Sequence, residues 1–403
     1  MTLTILFDLD DTLLENDLGK FQKHYLLALA DALKQYASKE EIIRQVMQAT
    51  VKMANKTEIA GTMEDIFDRS FYPAIGVSKK AMETQITRFY RDDFPALRPL
   101  TSPRKEMIEI VQRAFLAGWK VSVATQPVFP KTAIYQRLAW AQLSADENAF
   151  STVTTYEDLH FCKPDPAYFA ETLMQMGWPD QPAVMVGNSL EDDILPAVTL
   201  GLPAFLLVKD LRDIPADLPA LTAAGTMAEL WSWLVSQSDA EPQVLPLSPA
   251  SLLARLKAAP AALKTLTRNF SAADWQQRPD EKAWNAVEIS CHLRDIDREV
   301  NDPRFQQVLA EDQPFITGVI TDQWVEERAY NREDGFSALD GFVRSRQQLL
   351  KILEPLEAAD WQREARHTIF GPTTLAELVS FICTHDRSHV QQILECMEDG
   401  IKK

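Results

Sequence analysis

The first 210 residues alternate short apolar runs with longer amphipathic stretches. Four runs, "TILFDL", "KVSVAT", "PAVMVGN" and "PAFLLVK", are almost continuously hydrophobic, which is typical of strands buried on both faces of a parallel sheet. The stretch "SPRKEMIEIVQRAFLAGWK" has helical periodicity, and we predict a helix with Ser102 as its N-cap, Pro103 in its first turn and Gly118 at its end. Strand, helix and strand in this order predict a doubly wound, three-layer Rossmann-like α/β domain.

One segment interrupts this alternation. Residues 17–100 show helical patterns throughout and follow directly on the first strand. We interpret them as a helical cap inserted into the α/β domain. The predicted domain bounds are therefore 1–16 together with 101–237 for the α/β core, and 17–100 for the cap.

The pattern changes after the α/β domain. A polar, proline-bearing stretch, "SQSDAEPQVLPLSP", marks a linker at residues 238–248, and residues 249–403 show long helical patterns with no convincing strand. This part repeats itself faintly, since "SAADWQQR" at Ser271 recurs as "EAADWQRE" at Glu357. The repeat is either a coincidence between helix-ending turns or, as we favour, the sign of two similar helical hairpins that form an all-α four-helix bundle.

Composition narrows the class of protein. The chain of 403 residues has a formal net charge of −17, which disfavours nucleic acid or an anionic membrane as a partner, although a small phosphorylated substrate remains compatible. The 4 cysteines form no C-x-x-C pair, as expected for reduced thiols in a cytosol. We see no signal peptide and no apolar run long enough for a membrane span. We therefore expect a soluble cytoplasmic protein.

Three aspartates follow the first predicted strand. In "ILFDLDDTLLEN", Asp8, Asp10 and Asp11 stand at its carboxyl end, where open parallel sheets bind ligands. A divalent cation would relieve the repulsion between Asp8 and Asp10. One carboxylate can attack phosphorus, and the other can protonate the leaving oxygen and then activate water. The alternative is that these acids are capping and turn residues.

Further polar residues follow the later strands. Thr125 ends "VSVAT", Lys163 precedes a proline-marked turn in "FCKPDPAYF", and Asp192 and Asp193 follow "MVGNSLEDD". A hydroxyl and an ammonium can hold a phosphoryl group, and the acids can hold a metal. Taken singly, Thr125 and Lys163 are more often a buried hydroxyl and a surface lysine; the ordered set indicates a site.

This set resembles the D-x-D-x-T, Ser/Thr, Lys and acidic motifs of the haloacid dehalogenase (HAD) superfamily over residues 1–237. The resemblance implies Asp8 as nucleophile and Mg²⁺ ligand. It also implies Asp10 as general acid/base with its carbonyl near the metal, Thr125 and Lys163 as phosphate ligands, and Asp192 or Asp193 as metal support. True dehalogenases of the superfamily lack the second aspartate, so Asp10 favours a phosphoester substrate.

One position departs from the superfamily pattern. Asn188 stands where an aspartate is usual, and an uncharged ligand implies weaker Mg²⁺ binding.

The favoured function is a Mg²⁺-dependent phosphatase of a small phosphorylated metabolite. The alternatives are phosphoryl transfer between sugar positions, as in related mutases, and a degenerate phosphate-binding module whose chemistry lies in the bundle.

A second constellation lies in the helical half. His385 and His389 in "CTHDRSHVQQI" are four residues apart, so both imidazoles can reach one cation on a helix. Asp386 stands where zinc peptidases of this spacing use a glutamate base and is a poor substitute. We expect the bundle to bring His292 opposite this pair and to hold Zn²⁺ or Ni²⁺ with one open position.

Other residues of these types are assigned no functional role. We expect His24, His160 and His367 to be ordinary core or surface residues, and Cys291 and Cys383 to be small core residues rather than ligands. The tryptophans of this half are expected in the core; they include Trp275, Trp284, Trp324 and Trp361.

Residues 248–403 resemble the DinB-like superfamily of four-helix bundles, through the histidine of the second helix, "HDRSH" in the last, and "DQWVEERAYNRE" between them. The resemblance implies a metal-binding bundle and, for some members, a transferase or isomerase that uses a low-molecular-weight thiol. A purely associative or stabilising role is the alternative. Oligomeric state is not predicted, and a dimer formed through the bundle stays open.

Overall fold

The computed structural model describes residues 2–240 and 244–401, with side chains up to Met397. These residues divide into two compact units: one runs to Phe169 and includes Pro179–Val244, and the other contains Ala170–Trp178 and the chain from Leu245 onward. Met1, residues 241–243 of the predicted linker and the last two residues of the predicted bundle lie outside the described residues. The domain bounds proposed from the sequence stay predictions.

The first part of the chain contains seven strands and nine α-helices among its described residues. The strands are β1 (Thr4–Phe7), β2 (Leu14–Asn16), β3 (Thr101–Pro103), β4 (Lys120–Val123), β5 (Ala183–Gly187), β6 (Ala204–Leu207) and β7 (Thr222–Gly225). The helices are α1 (Leu18–Leu33), α2 (Lys39–Ala54), α3 (Met63–Ile75), α4 (Lys79–Arg88), α5 (Lys105–Leu116), α6 (Lys131–Trp140), α7 (Pro166–Gln175), α8 (Leu195–Thr199) and α9 (Met227–Ser238). Single π-helical turns occur at Phe89–Asp93 and Leu190–Ile194, and 3₁₀ turns at Phe94–Leu100 and Leu211–Asp213.

Five of these strands form one parallel sheet in the order β4-β1-β5-β6-β7. The four predicted apolar runs supply β1, β4, β5 and β6, and β7 is a fifth strand that the hydrophobic pattern does not reveal. Strand β1 lies between β4 and β5 and is fully buried, and its register pairs Phe7 with Val123 of β4 and with Val186 of β5. The carboxyl ends of β1, β4 and β5 therefore meet at one edge of the sheet.

The helical insertion lies between β2 and β3. These two strands pair antiparallel, with Leu14 opposite Pro103 and Asn16 opposite Thr101, so the two connections to helices α1–α4 run side by side. The predicted N-cap at Ser102 is wrong. Ser102 and Pro103 belong to β3, and Arg104 is the N-cap residue of α5, without a capping side-chain hydrogen bond. Because Ser102 and Pro103 pair with β2, they belong to a strand, and the helix begins only after them.

The second part of the chain is largely helical. Its helices are α10 (Pro249–Thr267), α11 (Ala272–Trp275), α12 (Ala286–Ile296), α13 (Asp302–Ala310), α14 (Trp324–Glu327), α15 (Gly335–Leu353), α16 (Ala358–Trp361) and α17 (Leu375–Ile401). A π-helical turn at Asp297–Asn301 continues α12, and a 3₁₀ turn spans Tyr330–Arg332. Three short strands, which the hydrophobic pattern did not predict, form a small sheet: β8 (Phe315–Ile316), β9 (Glu364–His367) and β10 (Gly371–Thr374).

The faint repeat corresponds to similar local structure. Ser271 and Glu357 each precede a one-turn helix, α11 or α16, that begins with a capping box, and the tryptophan that ends each turn, Trp275 or Trp361, is buried. The long helices do not pack as the two hairpins, one after the other in sequence, that the repeat suggested. Helix α12 packs most extensively on α15, and α10 packs on α17 and α15.

The predicted fold class, an α/β core with a helical insertion followed by a four-helix bundle, is confirmed. None of the helices among the described residues combines the length and apolar character needed to cross a membrane.

Candidate functional site

The first candidate site lies at the carboxyl end of β1. Asp8 follows this strand, and its backbone N–H donates to the carbonyl of Val186 in β5 over 2.9 Å. The Lys163 ammonium donates to Asp8 Oδ1 over 2.7 Å and to Asp193 Oδ1 over 2.5 Å. All three side chains are buried. The structure thus brings together a strand-end aspartate, a lysine and an acid that are separated by 155 and 30 residues.

Charge in this triad is unbalanced, because two carboxylates share one ammonium. Burial raises the pKa of Asp8 to about 6; Asp193 adds to this rise, and Lys163 opposes it. Burial alone would lower the pKa of Lys163, but Asp193 and Asp8 outweigh it, so the pKa is raised and the ammonium stays charged. A buried negative charge without a counterion is costly, so the triad is suited to a further cation.

The loop that carries Lys163 is fixed by a side chain that the sequence analysis did not identify. Gln126 accepts a hydrogen bond from the Lys163 backbone N–H over 2.9 Å and donates one to the Lys163 carbonyl over 3.0 Å. Gln126 directly follows Thr125, so the same clamp joins the hydroxyl-bearing segment after β4 to the lysine. The Thr125 carbonyl accepts hydrogen bonds from Tyr168 over 2.7 Å and from Thr154 over 2.9 Å. No contact between the Thr125 hydroxyl and the aspartates is observed among the described residues.

Asp10 has different partners from Asp8. Its Oδ1 accepts from Asn16 Nδ2 over 2.9 Å and from the guanidinium of Arg137, on α6. Arg137 is fully buried and lies against the rings of Phe21 and Phe129, with 4.9 and 5.5 Å from guanidinium carbon to ring centroid. Because the guanidinium holds the carboxylate, Asp10 is oriented by a residue that the sequence analysis did not identify.

The structure separates the two candidate acids after β5. Asp193 is buried with Lys163, whereas Asp192 is exposed and its backbone N–H donates to the hydroxyl of Ser189, which caps the π-helical turn. Gly187 explains why Asp193 can approach so closely, since a Cβ atom at this glycine would lie 2.2 Å from Asp193 Oδ2. Asn188 is exposed, and its Oδ1 accepts from the Thr12 hydroxyl over 3.4 Å.

The donors for Mg²⁺ at this site are oxygens, which suits a hard cation. The Asp8 and Asp193 carboxylates, which together exceed the charge of Lys163, fit this ion. The carboxylates of Asp8, Asp10 and Asp193 do not form a compact three-ligand group among the described residues, because Asp10 is turned toward Arg137. The predicted contact of the Asp10 backbone carbonyl with the metal does not require the Asp10 side chain to turn away from Arg137.

The second candidate site lies in the bundle. His292 on α12 and His385 and His389 on α17 form the one group of three potential ligands, with atoms within 4.8 Å of one another, found in the part of the chain that the structure describes. The Nε2 atoms of His292 and His389 lie 3.3 and 3.1 Å from His385 Nε2. The lone pairs of three Nε2 atoms that point at one place repel one another, and a cation between the three atoms removes this repulsion.

The surroundings favour neutral imidazoles. His389 Nδ1 lies 2.8 Å from Gln392 Oε1, an acceptor, so Nδ1 carries the proton and Nε2 offers its lone pair. Burial, with smaller effects of the other two histidines, lowers the pKa of His292 to about 3, and burial followed by His385 lowers that of His389 to about 4. The group therefore fits a borderline metal such as Zn²⁺ or Ni²⁺.

Trp284, expected in the core, lies against this group instead. Its ring is 5.7 Å from that of His389 and nearly parallel to it, at 8°, and it is 4.7 Å from the ring of His292. Neither Cys291 nor Cys383 belongs to the three-ligand group. Both are buried, and burial raises the pKa of Cys291 to about 12 and that of Cys383 to about 11.

The structure gives Asp386 a role other than a catalytic base. Its two carboxylate oxygens accept from the Arg346 guanidinium over 2.6 and 3.1 Å. Arg346, on α15, also donates to Asp297 over 2.7 and 3.3 Å and to the Leu256 carbonyl of α10 over 2.9 Å. One buried guanidinium thus links α10, α15, α17 and the π-helical turn after α12. We call Arg346, Asp297 and Asp386 the arginine network.

The remaining histidines are placed as follows. His24 is exposed on α1, and His160 is buried. His367 ends β9 and is buried beside a cavity next to His385.

Comparison with known families gives a match for each of the two parts of the chain. Residues 2–201 match the haloacid dehalogenase-like hydrolases, and residues 255–393 match the DinB superfamily. The first part of the chain is therefore similar to the haloacid dehalogenase-like hydrolases and the second part to the DinB superfamily, and the predicted fusion is confirmed.

Among known proteins, the chain is similar to a glyceraldehyde 3-phosphate phosphatase of Methanothermobacter thermautotrophicus. The identity is 26% over 226 residues, which cover 54% of this chain and 90% of the relative. A HAD phosphatase structure from Thermococcus onnurineus is 21% identical and covers 59% of this chain and all of its own, with a TM-score of 0.40. YfiT of Bacillus subtilis, which has an unusual four-helix bundle topology, is 19% identical and covers 38% of this chain and 86% of its own, with a TM-score of 0.35.

Proposed function

We propose that the α/β part of the chain is a Mg²⁺-dependent phosphatase that hydrolyses a small phosphorylated metabolite through an aspartyl-phosphate on Asp8. The observation that carries this proposal is the buried Lys163 ammonium at the carboxyl end of β1, which donates to both Asp8 and Asp193. The phosphatase named among the relatives supports the same reaction type.

The reaction begins at Asp8. A carboxylate oxygen of Asp8 attacks phosphorus, a P–O bond forms, and the ester P–O bond breaks. Asp10 donates its proton to the leaving alkoxide, so that the alcohol departs neutral. In the second step Asp10 takes a proton from water, and the water oxygen attacks the phosphorus of the aspartyl-phosphate. Phosphate leaves, and the Asp8 carboxylate is regenerated.

The other residues prepare these steps. Lys163 neutralises part of the charge that the phosphoryl group brings beside Asp8, and Thr125 follows the neighbouring strand as a hydroxyl donor to phosphate. Arg137 orients the Asp10 carboxylate after proton transfer. Asp8, the Asp10 carbonyl and Asp193 would hold Mg²⁺, which when bound compensates the charge of the phosphoryl oxygens.

Phosphate release from a panel of small phosphoesters tests this proposal. The parent should be active with Mg²⁺ and inactive with EDTA, and Asp8→Asn and Asp193→Asn should each lose activity by at least 100-fold. Asp192→Asn is the matched control for Asp193→Asn, because it removes a neighbouring acid that is exposed and away from Lys163. Full activity of Asp8→Asn would contradict the covalent mechanism. Chromatography that finds an isomerised product instead of free phosphate would identify the mutase reaction.

We also propose that the bundle binds Zn²⁺ or Ni²⁺ through His292, His385 and His389. The convergence of three Nε2 atoms supports this site. Metal analysis of the full chain should find about one transition metal per chain, and His292→Ala should lose it, whereas His24→Ala, which removes an exposed histidine, should retain it. Absence of metal in the parent, together with unchanged activity and folding of His292→Ala, would support a scaffold role for the bundle instead of metal chemistry.

Asn188 is the feature that favours the alternative in which the α/β part only binds phosphate and the bundle is a metal- and thiol-dependent transferase. If no phosphoester of the panel is hydrolysed, Asn188→Asp should restore turnover if the missing charge is the cause. A low-molecular-weight thiol as co-substrate stays a prediction, and a dimer formed through the bundle stays open.

A further inference from the structure

A cavity of about 230 Å³ lies in the second unit beside the three histidines and reaches His385. Its wall is formed by the π-helical turn after α12, by α13, by the turn between β9 and β10, and by α17. None of the described residues that line it is acidic, although the chain has 58 acidic residues. The polar members of the wall other than His385 are Asn301, Arg304, Thr321 and His367.

His367, in the wall of this cavity, has an unused donor. Its Nδ1 lies 3.2 Å from the backbone N–H of Ile369 and 3.4 Å from that of Phe370, both donors. Nδ1 is therefore the acceptor, and the ring proton is on Nε2. Only 3% of His367 is exposed, and Nε2 has no hydrogen-bond partner among the described residues. A buried donor without an acceptor costs about 1–3 kcal/mol, which a ligand acceptor would recover.

Arg304 adds a positive charge beside His367. Its guanidinium donates to the Thr317 carbonyl over 3.1 Å, and no described carboxylate forms an ion pair with it. Arg304 lies close enough to His367 to act with burial in lowering the pKa of the imidazole, which keeps that ring neutral. The cavity thus combines a cation with a neutral N–H donor and no competing acid in its wall.

The rest of the wall is apolar and partly open. Phe370 and Phe381, whose ring centroids are 4.0 Å apart, are 51% and 37% exposed. Val319, also in the wall, is 49% exposed. Exposed apolar side chains that surround a cavity with a few convergent polar groups are typical of a ligand site.

We propose that this cavity binds a small organic carboxylate with an apolar body. The carboxylate accepts from Arg304 and from His367 Nε2, and the apolar body packs against Phe370 and Phe381. The ligand then lies next to His385 and the metal proposed there. This binding site is independent of the phosphatase reaction, and the carboxylate contacts do not depend on the metal.

Calorimetric binding to the full chain tests the proposal, with phenylacetate and its neutral amide, phenylacetamide, as probes. Both are measured with and without Zn²⁺. Phenylacetate should bind at least tenfold more tightly than the amide in both conditions, because a charge-assisted hydrogen bond exceeds a neutral one. Arg304→Met, which keeps the apolar stem, should lose this preference, and Arg304→Lys should keep part of it. Arg298→Met is the matched control, since Arg298 is exposed on the neighbouring turn and outside the cavity wall.

Each contrary result overturns the proposal. Equal affinity for the two probes, or binding of neither, would show that the cavity does not select a carboxylate. A preference that persists in Arg304→Met, or that disappears when Zn²⁺ is removed, would assign the anion to the metal. None of these results bears on the phosphatase, whose activity is measured separately.

Discussion

Replacing Arg346 with methionine should destabilise the bundle strongly. The substitution removes all five hydrogen bonds donated by the guanidinium and leaves Asp297 and Asp386 unpaired, each 1% exposed. Removal of one partner from a buried ion pair costs about 3–5 kcal/mol, and a domain's total stability is only about 5–15 kcal/mol. We therefore expect the free energy of unfolding of the bundle to fall by about 4 kcal/mol.

Amide hydrogen exchange, resolved by peptide, measures this change within the full chain. A loss of about 4 kcal/mol corresponds to roughly 10³-fold faster exchange in the most protected amides of α12, α15 and α17. Arg344→Met is the matched control, because Arg344 is an exposed arginine two residues away on the same helix; its effect should stay below about 0.5 kcal/mol. Equal exchange in the two variants would refute a stabilising role for the arginine network.

The sign of the pH dependence adds a second check. Burial raises the pKa of Asp297 even with Arg346 present. An acid whose pKa is higher in the folded than in the unfolded state destabilises the fold increasingly as the pH rises through the folded value. Arg346→Met should therefore be less damaging at pH 5 than at pH 8. Adding Asp297→Asn and Asp386→Asn should recover much of the stability at pH 8, because neutral amides cost less to bury than unpaired carboxylates.

Three further outcomes are expected. Gly187→Ala should lower phosphatase turnover about 100-fold, because the new Cβ displaces Asp193; a near-normal rate in a steady-state assay would show that Asp193 need not sit there. Arg137→Met should lower kcat by about 10-fold to 100-fold with little change in KM, because Asp10 loses its orientation; a change in KM alone would place Arg137 in substrate binding. Zn²⁺ uptake at pH 6 should release almost no protons, since the pKa of His389 is lowered to about 4. Calorimetry in buffers of different ionisation enthalpy counts the released protons. Release of one proton per histidine would contradict the lowered pKa values.

The α/β part was predictable because its signals are local. Four apolar runs are long enough to indicate buried strands, and three of them carry at their ends a polar residue that bears on the chemistry: Asp8, Thr125 and Asn188. Since parallel strands end at one edge of the sheet, Asp8, Lys163 and one of the two acids Asp192 and Asp193 were expected together from the sequence. The same holds for His385 and His389, whose spacing of four residues is one helical turn.

The site residues that the sequence analysis did not identify depend on tertiary contacts that no local pattern encodes. Arg137 and Gln126 have no distinctive neighbours in sequence, and their roles arise from partners 127 and 37 residues away. The choice of Asp193 over the adjacent Asp192 required the direction of each side chain on a π-helical turn. Trp284 reads as an ordinary core residue until the packing of α12 against α17 is known.

The paired strands β2 and β3 have a consequence for motion in the α/β part. Both connections to the helical insertion pass through this pair, so the insertion cannot swing relative to the sheet by bending one connection alone. The Asp11 backbone N–H donates to the Leu14 carbonyl over 2.7 Å, and Asp10 forms a bridge with Leu14. The β2–β3 pair is therefore hydrogen-bonded to the segment that carries Asp10, the proposed general acid/base. Opening of the insertion to admit substrate or release product would therefore move Asp10 as well. Each opening would then change both the access of substrate to the site and the position from which Asp10 would transfer its proton.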